Sequence, residues 1–376
     1  MRIVSVVGTR PQLIKAAALQ PVLRRRHEEI FVDTGQHYDE AMAGAFFAEL
    51  GLARPDHSLG VSGGGPGDQT GRMMIALEPL LRASRPDAVL VYGDTNSTLA
   101  GALTAAKLGV PVAHVEAGLR SFDRAMPEEL NRIVADHLSR WLFAPTEAAV
   151  RHLAAEGITD GVELVGDLML DLAARVSLQV RDTAVLVEIG ERLGIDLRPG
   201  GYVLATVHRA ESRTVDAISA WTALLGAVAA TGRPVILPLH PGTGAALAAA
   251  GMALPTGVTA IEPQGYATTL ALQLHSAAVM TDSGGIQRES AWLGVPCLIL
   301  RGTTEWTETV GGAESTAVLV GLDRDLALRE LEERSPLSRA ASMAAARARA
   351  PDLRGPGAAV RIAETLAGAP EAGASR

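Results

Sequence analysis

Short apolar runs and longer stretches with helical spacing alternate along this chain. Ile3–Val7, Ile30–Asp33, Ala88–Tyr92, Val112–Val115 and Leu142–Ala144 are rich in β-branched residues and lack an in/out alternation. Continuous runs of this kind mark strands buried on both faces of a parallel sheet. Between them, Leu13–Arg25, Gln69–Ala83, Thr98–Lys107 and Glu128–Leu138 read as helices. After Arg181 the pattern weakens, and Leu197-Arg198-Pro199-Gly200-Gly201 reads as a loop. The alternation restarts with Tyr202–Thr206, Val235–Pro238, Val258–Ile261, Ala278–Thr281 and Cys297–Leu300. Two such series predict an α/β protein of two doubly wound, Rossmann-like domains facing across a cleft. They span residues 1–180 and 181–356, and 357–376 form a last segment with a frayed end.

In such folds the reactive polar groups follow the carboxyl ends of the strands. After the first strand, Gly8-Thr9-Arg10-Pro11-Gln12-Leu13-Ile14-Lys15 is a glycine turn opening a helix. Arg10 and Lys15 suit a diphosphate. The segment is neither a Walker loop nor a GxGxxG fingerprint. Asp94 follows the third strand and reads either as a helix cap or as a cleft carboxylate. Glu116 ends a buried strand, where a charge requires a partner. Glu128 and Glu129 follow Pro127 in a first helical turn, a position the helix dipole favours for acids. In the second half, His208 and His240 end successive strands. Glu262-Pro263-Gln264-Gly265-Tyr266 follows another strand and suits a flat ring held by backbone and side-chain bonds. Thr281-Asp282-Ser283-Gly284-Gly285-Ile286-Gln287-Arg288-Glu289 is a phosphate cradle: a helix start whose glycines admit an anion to the backbone N–H groups. Glu289, one turn on, suits a ribose, so the segment suggests a nucleotide. It reads equally as a helix capped by Asp282 or Ser283. The run Gly63-Gly64-Gly65-Pro66-Gly67 is expected to be a mobile loop.

Net charge is −8, aromatics are 3%, and the longest basic run is Arg24-Arg25-Arg26. Nucleic acid is therefore not an expected partner. The single cysteine, Cys297, excludes an internal disulfide and lies in an apolar run, as a buried thiol would. No HExxH or CxxC spacing supports a metal. No apolar run reaches membrane-spanning length, and the amino terminus reads as a strand, not a signal. A soluble, cytoplasmic protein is the expectation.

Nine segments together resemble the non-hydrolysing UDP-N-acetylglucosamine 2-epimerases. They are Gly8–Lys15, Thr34–Asp39, Tyr92–Thr98, His114–Ser121, Met126–Arg132, Thr206–Glu211, Leu239–Pro241, Glu262–Tyr266 and Thr281–Glu289, in family order. The resemblance implies a glycosyltransferase-B-like fold, a UDP-sugar substrate, and no cofactor, catalytic metal or nicotinamide. It also implies a homodimer in which the carboxyl-terminal helix returns to the first domain. It assigns nucleotide-sugar binding to Arg10, Lys15, Gln264, Ser283, Gly284, Gly285 and Glu289, and catalysis to Asp94, Glu116, Glu128 and His208. Two departures stand out. Where the family commonly has Thr-Glu-Arg-Pro-Glu, this chain has Thr304-Glu305-Trp306-Thr307-Glu308, which leaves the lost cation's work to Arg301 or Arg10. Tyr38-Asp39 replace a pair common among members activated by a second substrate molecule. Trp306, with Met126-Pro127-Glu128-Glu129 and Tyr92–Thr98, also resembles the branch acting on UDP-2,3-diacetamido-glucuronic acid. Other readings left open are a glycosyltransferase, a non-catalytic UDP-sugar-binding protein, and hydrolytic release of N-acetylmannosamine.

Overall fold

The computed structural model describes residues 1–36, 47, 49–209, 211–304, 306–310, 315–334 and 357–368. The chain divides into two compact units, one of Met1–Leu172 with the carboxyl-terminal segment and one of Ala173–Pro351.

The first unit runs β1 (Arg2–Val7), α1 (Arg10–Leu23), β2 (Glu28–Asp33), β3 (His57–Ser58), α2 (Pro66–Ser84), β4 (Ala88–Tyr92), α3 (Asn96–Lys107), β5 (Val112–Val115), α4 (Pro127–Leu138), β6 (Trp141–Ala144), α5 (Glu147–Ala155), β7 (Val162–Leu164) and α6 (Leu168–Gln179). The division between units falls inside α6. Seven parallel strands lie in the order β3-β2-β1-β4-β5-β6-β7. Val4 of β1 is in register with Ile30 on one side and Val89 on the other. Both faces of β1 and β4 are covered, so their apolar side chains are fully buried and the runs do not alternate. Met73, Leu77 and Leu81 recur at helical spacing on α2 and pack on Val4, Val6, Val89 and Val91. Strand order reverses between β1 and β4, which opens a crevice beyond their carboxyl ends.

A last helix, α13 (Ala358–Gly368), packs on α1. His27 Nε2 lies 3.2 Å from the Ala363 carbonyl. Asp171 caps this helix, accepting from the Gly357 and Ala359 amides at 2.7 and 2.8 Å. Burial pushes the Asp171 carboxyl up, and these amides pull it back.

The second unit runs α7 (Ala184–Leu193), β8 (Val203–Thr206), α8 (Val215–Ala229), β9 (Val235–Pro238), α9 (Pro241–Ala249), β10 (Val258–Ile261), α10 (Tyr266–His275), β11 (Ala278–Thr281), α11 (Gly284–Leu293), β12 (Cys297–Ile299), β13 (Ala317–Leu319) and α12 (Arg324–Arg334). Its six parallel strands lie in the order β10-β9-β8-β11-β12-β13, reversing between β8 and β11. Trp221 is buried in its core and donates to the Ser212 carbonyl at 3.1 Å. Cys297 is buried, which pushes its thiol up to about 12. Among the described residues no helix is long and apolar enough to cross a membrane.

The elements depart from the sequence pattern at identifiable places. Helix α1 starts at Arg10 rather than Leu13, because the Gln12 side chain reaches back to the Thr9 amide at 3.1 Å. Pro66 and Gly67 belong to α2, so the glycine run is a loop only as far as Gly65. Helix α7 lies in the weak zone, burying Leu186 and Ile189. Strands β3, β7 and β13 are sheet edges of two or three residues, too short to show a period.

Asp171→Ala removes both amide acceptors from the start of α13. We expect a loss of about 1–2 kcal/mol in stability and faster amide exchange across residues 358–368; unchanged exchange there contradicts the capping role.

Candidate functional site

In the first unit the candidate groups sit on the turns after β4 and β5 and on helices α1 and α4. Gln12 ties the turn after β1 to the turn after β4. Its Nε2 donates to the Tyr92 carbonyl at 2.7 Å and to Thr95 Oγ1 at 2.9 Å, while its Oε1 accepts from the Gly8 amide at 2.8 Å. Gly8 has to be a glycine here, because a Cβ would lie 2.1 Å from Thr34 Oγ1 and 2.3 Å from Ser97 Oγ.

Glu116 follows β5 with φ +70°, a left-handed conformation costly for a side-chain-bearing residue. Its carboxylate is ion-paired with Lys15 of α1, both side chains being less than a tenth exposed. Gly93 presses against this pair: a Cβ there would lie 3.2 Å from Glu116 Oε2 and from Lys15 Nζ. Asp94 is not the cap of α3. Thr95 takes that role, and the Asp94 carboxylate pairs with Arg132 of α4. Asn131 Nδ2 donates to the Asp94 carbonyl at 2.9 Å.

A buried network fixes these turns. His114 of β5 is fully buried, with Nε2 2.7 Å from the Gly93 carbonyl and Nδ1 2.7 Å from Asp136 Oδ1. Both ring nitrogens therefore face acceptors. The other Asp136 oxygen accepts from the Gly118 amide at 3.1 Å and from Arg120 at 2.7 Å. Burial alone would raise the Asp136 pKa, but His114 and Arg120 hold it below the usual carboxylate range. Glu129 is buried and structural: it accepts from the Ser121 and Phe122 amides, each at 2.9 Å. Glu128 is exposed in the first turn of α4. Arg10 is exposed at the start of α1.

In the second unit, Asp282 follows β11 and His208 follows β8, on the two strands that flank the reversal. Asp282 is 1% exposed and accepts from the His208 and Arg209 amides at 3.0 Å and from Ser212 Oγ at 2.9 Å. His208 Nδ1 lies 3.0 Å from its Oδ1. Burial would raise this carboxyl, but His208 and the amides hold it at about 2. The His208 ring is thus fixed through Nδ1, with its side chain 42% exposed. Ser283 is the cap of α11, and Gly284 and Gly285 open that helix with their amides at its positive end. Glu289 turns inward and accepts from Tyr266 Oη at 2.9 Å and Gln273 Nε2 at 2.8 Å, locking α10 to α11. Gln264 accepts from Arg192 of α7 at 3.2 Å, beside a cavity of about 550 Å³ lined by Arg192, His240, Pro241, Ile261 and Glu262. The buried Trp306 ring carries the Arg288 guanidinium 3.7 Å from its centroid.

His37, Tyr38, Asp39, Ala210 and Glu305 lie outside the described residues. Among the described residues no group of three or more His, Cys, Asp or Glu could hold a metal ion. The sequence pattern assigns no individual role to Arg132, Asp136, His114, Gln12 or Arg288. The available signals were a histidine within β5, two residues before Glu116, and an arginine beside the glycine cradle.

Asp282 generates a pH prediction. Its carboxyl titrates near 3.8 when unfolded and about 2 when folded, so its stabilisation is present above 3.8 and lost as pH falls through 2. A shift of this size corresponds to roughly 2–3 kcal/mol. Asp282→Asn is expected to be less stable at pH 6 and to lose less stability between pH 4 and 2 than the parent, read by circular dichroism; parallel curves contradict this.

Comparison with known proteins supports one family. The UDP-N-acetylglucosamine 2-epimerase profile matches residues 22–367. A UDP-N-acetylglucosamine 2-epimerase homolog of Methanococcus maripaludis is 42% identical, covering 90% of this chain and 94% of the relative. The UDP-2,3-diacetamido-2,3-dideoxy-D-glucuronate 2-epimerase of Pseudomonas aeruginosa is 41% identical, covering 87% and 90%. The crystal structure of Methanocaldococcus jannaschii UDP-GlcNAc 2-epimerase, in complex with UDP-GlcNAc and UDP, matches with TM-score 0.85 and 34% identity over 97% of this chain and 99% of that one. The two doubly wound units are thus of the glycosyltransferase-B-like kind, and the chain belongs to the UDP-N-acetylglucosamine 2-epimerase family of nucleotide-sugar isomerases.

Proposed function

We propose that the chain interconverts UDP-N-acetylglucosamine and UDP-N-acetylmannosamine by eliminating UDP and adding it back, without net hydrolysis. The observation that carries this is the pair of carboxylates, Asp94 and Glu116, beyond adjacent strands β4 and β5, each ion-paired with a basic side chain.

The C2–H of such a sugar has no neighbouring carbonyl in the ring, so its direct removal is hard. When the bond from C1 to the diphosphate oxygen breaks, C1 gains positive character and acidifies C2–H. Glu116 takes that proton, leaving 2-acetamidoglucal and UDP. Glu128 delivers a proton to the opposite face, Asp94 steadies the cationic sugar, and UDP adds back at C1. The departing diphosphate is held by the Gly284 and Gly285 amides, Ser283 and His208, whose fixed Nδ1 leaves Nε2 for the phosphate. The cavity beside Gln264 takes the uracil. Exposed Ile75 on α2 and exposed Leu130 and Val134 on α4 are apolar side chains that a homodimer would cover.

A second reading is the diacetamido-glucuronate substrate. It is supported by the Pseudomonas relative and by Trp306, whose companion cation is Arg288.

Incubation with each UDP-sugar in D₂O, followed by NMR, tests both readings. We expect deuterium at C2 and UDP-N-acetylmannosamine from UDP-N-acetylglucosamine. Exchange only in the glucuronate selects the second reading; binding with no exchange in either rejects both. Glu116→Gln should slow exchange at least about 100-fold with UDP binding retained, and full exchange removes Glu116 from the mechanism.

A further inference from the structure

We infer that Lys15 is a positioning residue for Glu116, an inference that rests on the role proposed for Glu116. Lys15 does not stand at the mouth of α1, where Arg10 is exposed. It lies 6% exposed, with its ammonium on the Glu116 carboxylate. Three further features keep it there. Glu116 sits in a left-handed backbone conformation that turns its side chain toward α1. Gly93, also left-handed at φ +63°, brings bare backbone against both partners. The His114 ring holds the Gly93 carbonyl in place.

The charged groups on the surrounding elements are engaged with one another. Asp94, after β4, pairs with Arg132 of α4. Asp136 of α4 pairs with His114 of β5 and with Arg120, which also holds Glu156. His152 of α5 meets the Gly118 carbonyl at 3.0 Å. Lys15 of α1 is the cation that the structure places directly on Glu116. An ammonium in contact with a buried carboxylate favours the ionised form, which is the form that can remove a C2 proton. Lys15 thereby fixes where the Glu116 oxygen points.

The test compares Lys15→Met and Lys15→Gln with the parent. The glutamine keeps a hydrogen-bond donor without the charge, and it carries the test if the methionine variant does not fold. C2 deuterium exchange is followed from pH 5 to 9, and UDP affinity is measured by calorimetry. The acid limb of the exchange profile should move up by about one unit or more, kcat at neutral pH should fall at least about tenfold, and UDP affinity should stay within about twofold. Lys15→Arg, which restores charge, should return the acid limb toward the parent's. A tenfold or greater loss of UDP affinity with an unmoved acid limb overturns the inference and makes Lys15 a diphosphate ligand. The parent enzyme is the control: if it exchanges no C2 hydrogen in any UDP-sugar, the proposed function fails, whereas exchange in the parent with an unmoved limb in the variants removes only the role of Lys15.

Discussion

The geometry of the first unit's site depends on one buried contact, the His114 imidazole held between the Gly93 carbonyl and Asp136. Gly93 precedes Asp94, and Asp136 also holds the Gly118 amide two residues beyond Glu116. One ring therefore ties together the turns that present both carboxylates. The backbone at Gly93 and Glu116 is left-handed, and for Glu116 that conformation is of the kind that persists only when its surroundings over-determine it. His114 and Asp136 supply that constraint from within the core, where no water competes for their hydrogen bonds.

The second unit repeats the pairing of an imidazole with a buried aspartate and uses it differently. Asp282 anchors His208 as Asp136 anchors His114, but His208 is half-exposed at a strand end. A fully enclosed imidazole can only hold backbone, whereas a half-exposed one with its Nδ1 fixed can meet a ligand. Beside it, α11 begins with two glycines and a serine cap, so fixed donors and a positive helix end occur together. The second unit thus sets a half-exposed imidazole near a glycine helix start, and the first sets ion-paired carboxylates beyond its strands.

Much of this was legible in the sequence because it follows from position on strands. Glu116 ends an apolar run, where a charge needs a partner, and that partner exists. His208 and Ser283 follow strands at the point where sheet order reverses. The partners themselves were not legible. Lys15 reads as a phosphate cation by its place near a helix start, and only the helical phase of α1 shows that it faces Glu116. Arg288 is distant in sequence from Trp306, and stacking leaves no local pattern. Asp282 looked like a helix cap, yet its oxygens are taken by the His208 turn, which lies beside it only because β8 and β11 pair. The edge strands β3, β7 and β13 were missed because hydrogen bonding to a neighbour, not composition, makes them strands.

The account stands or falls on breakage of the bond between C1 and the diphosphate before C2 is inverted. A UDP-sugar carrying ¹⁸O in that bridging position reports on it directly. Once expelled, the β-phosphate can rotate, so returning UDP re-forms the bond through any of its terminal oxygens. Migration of the label from the bridge to the non-bridging β-phosphate positions, at a rate comparable with epimerisation, is the predicted result. Inversion at C2 with the label still wholly in the bridge contradicts the account.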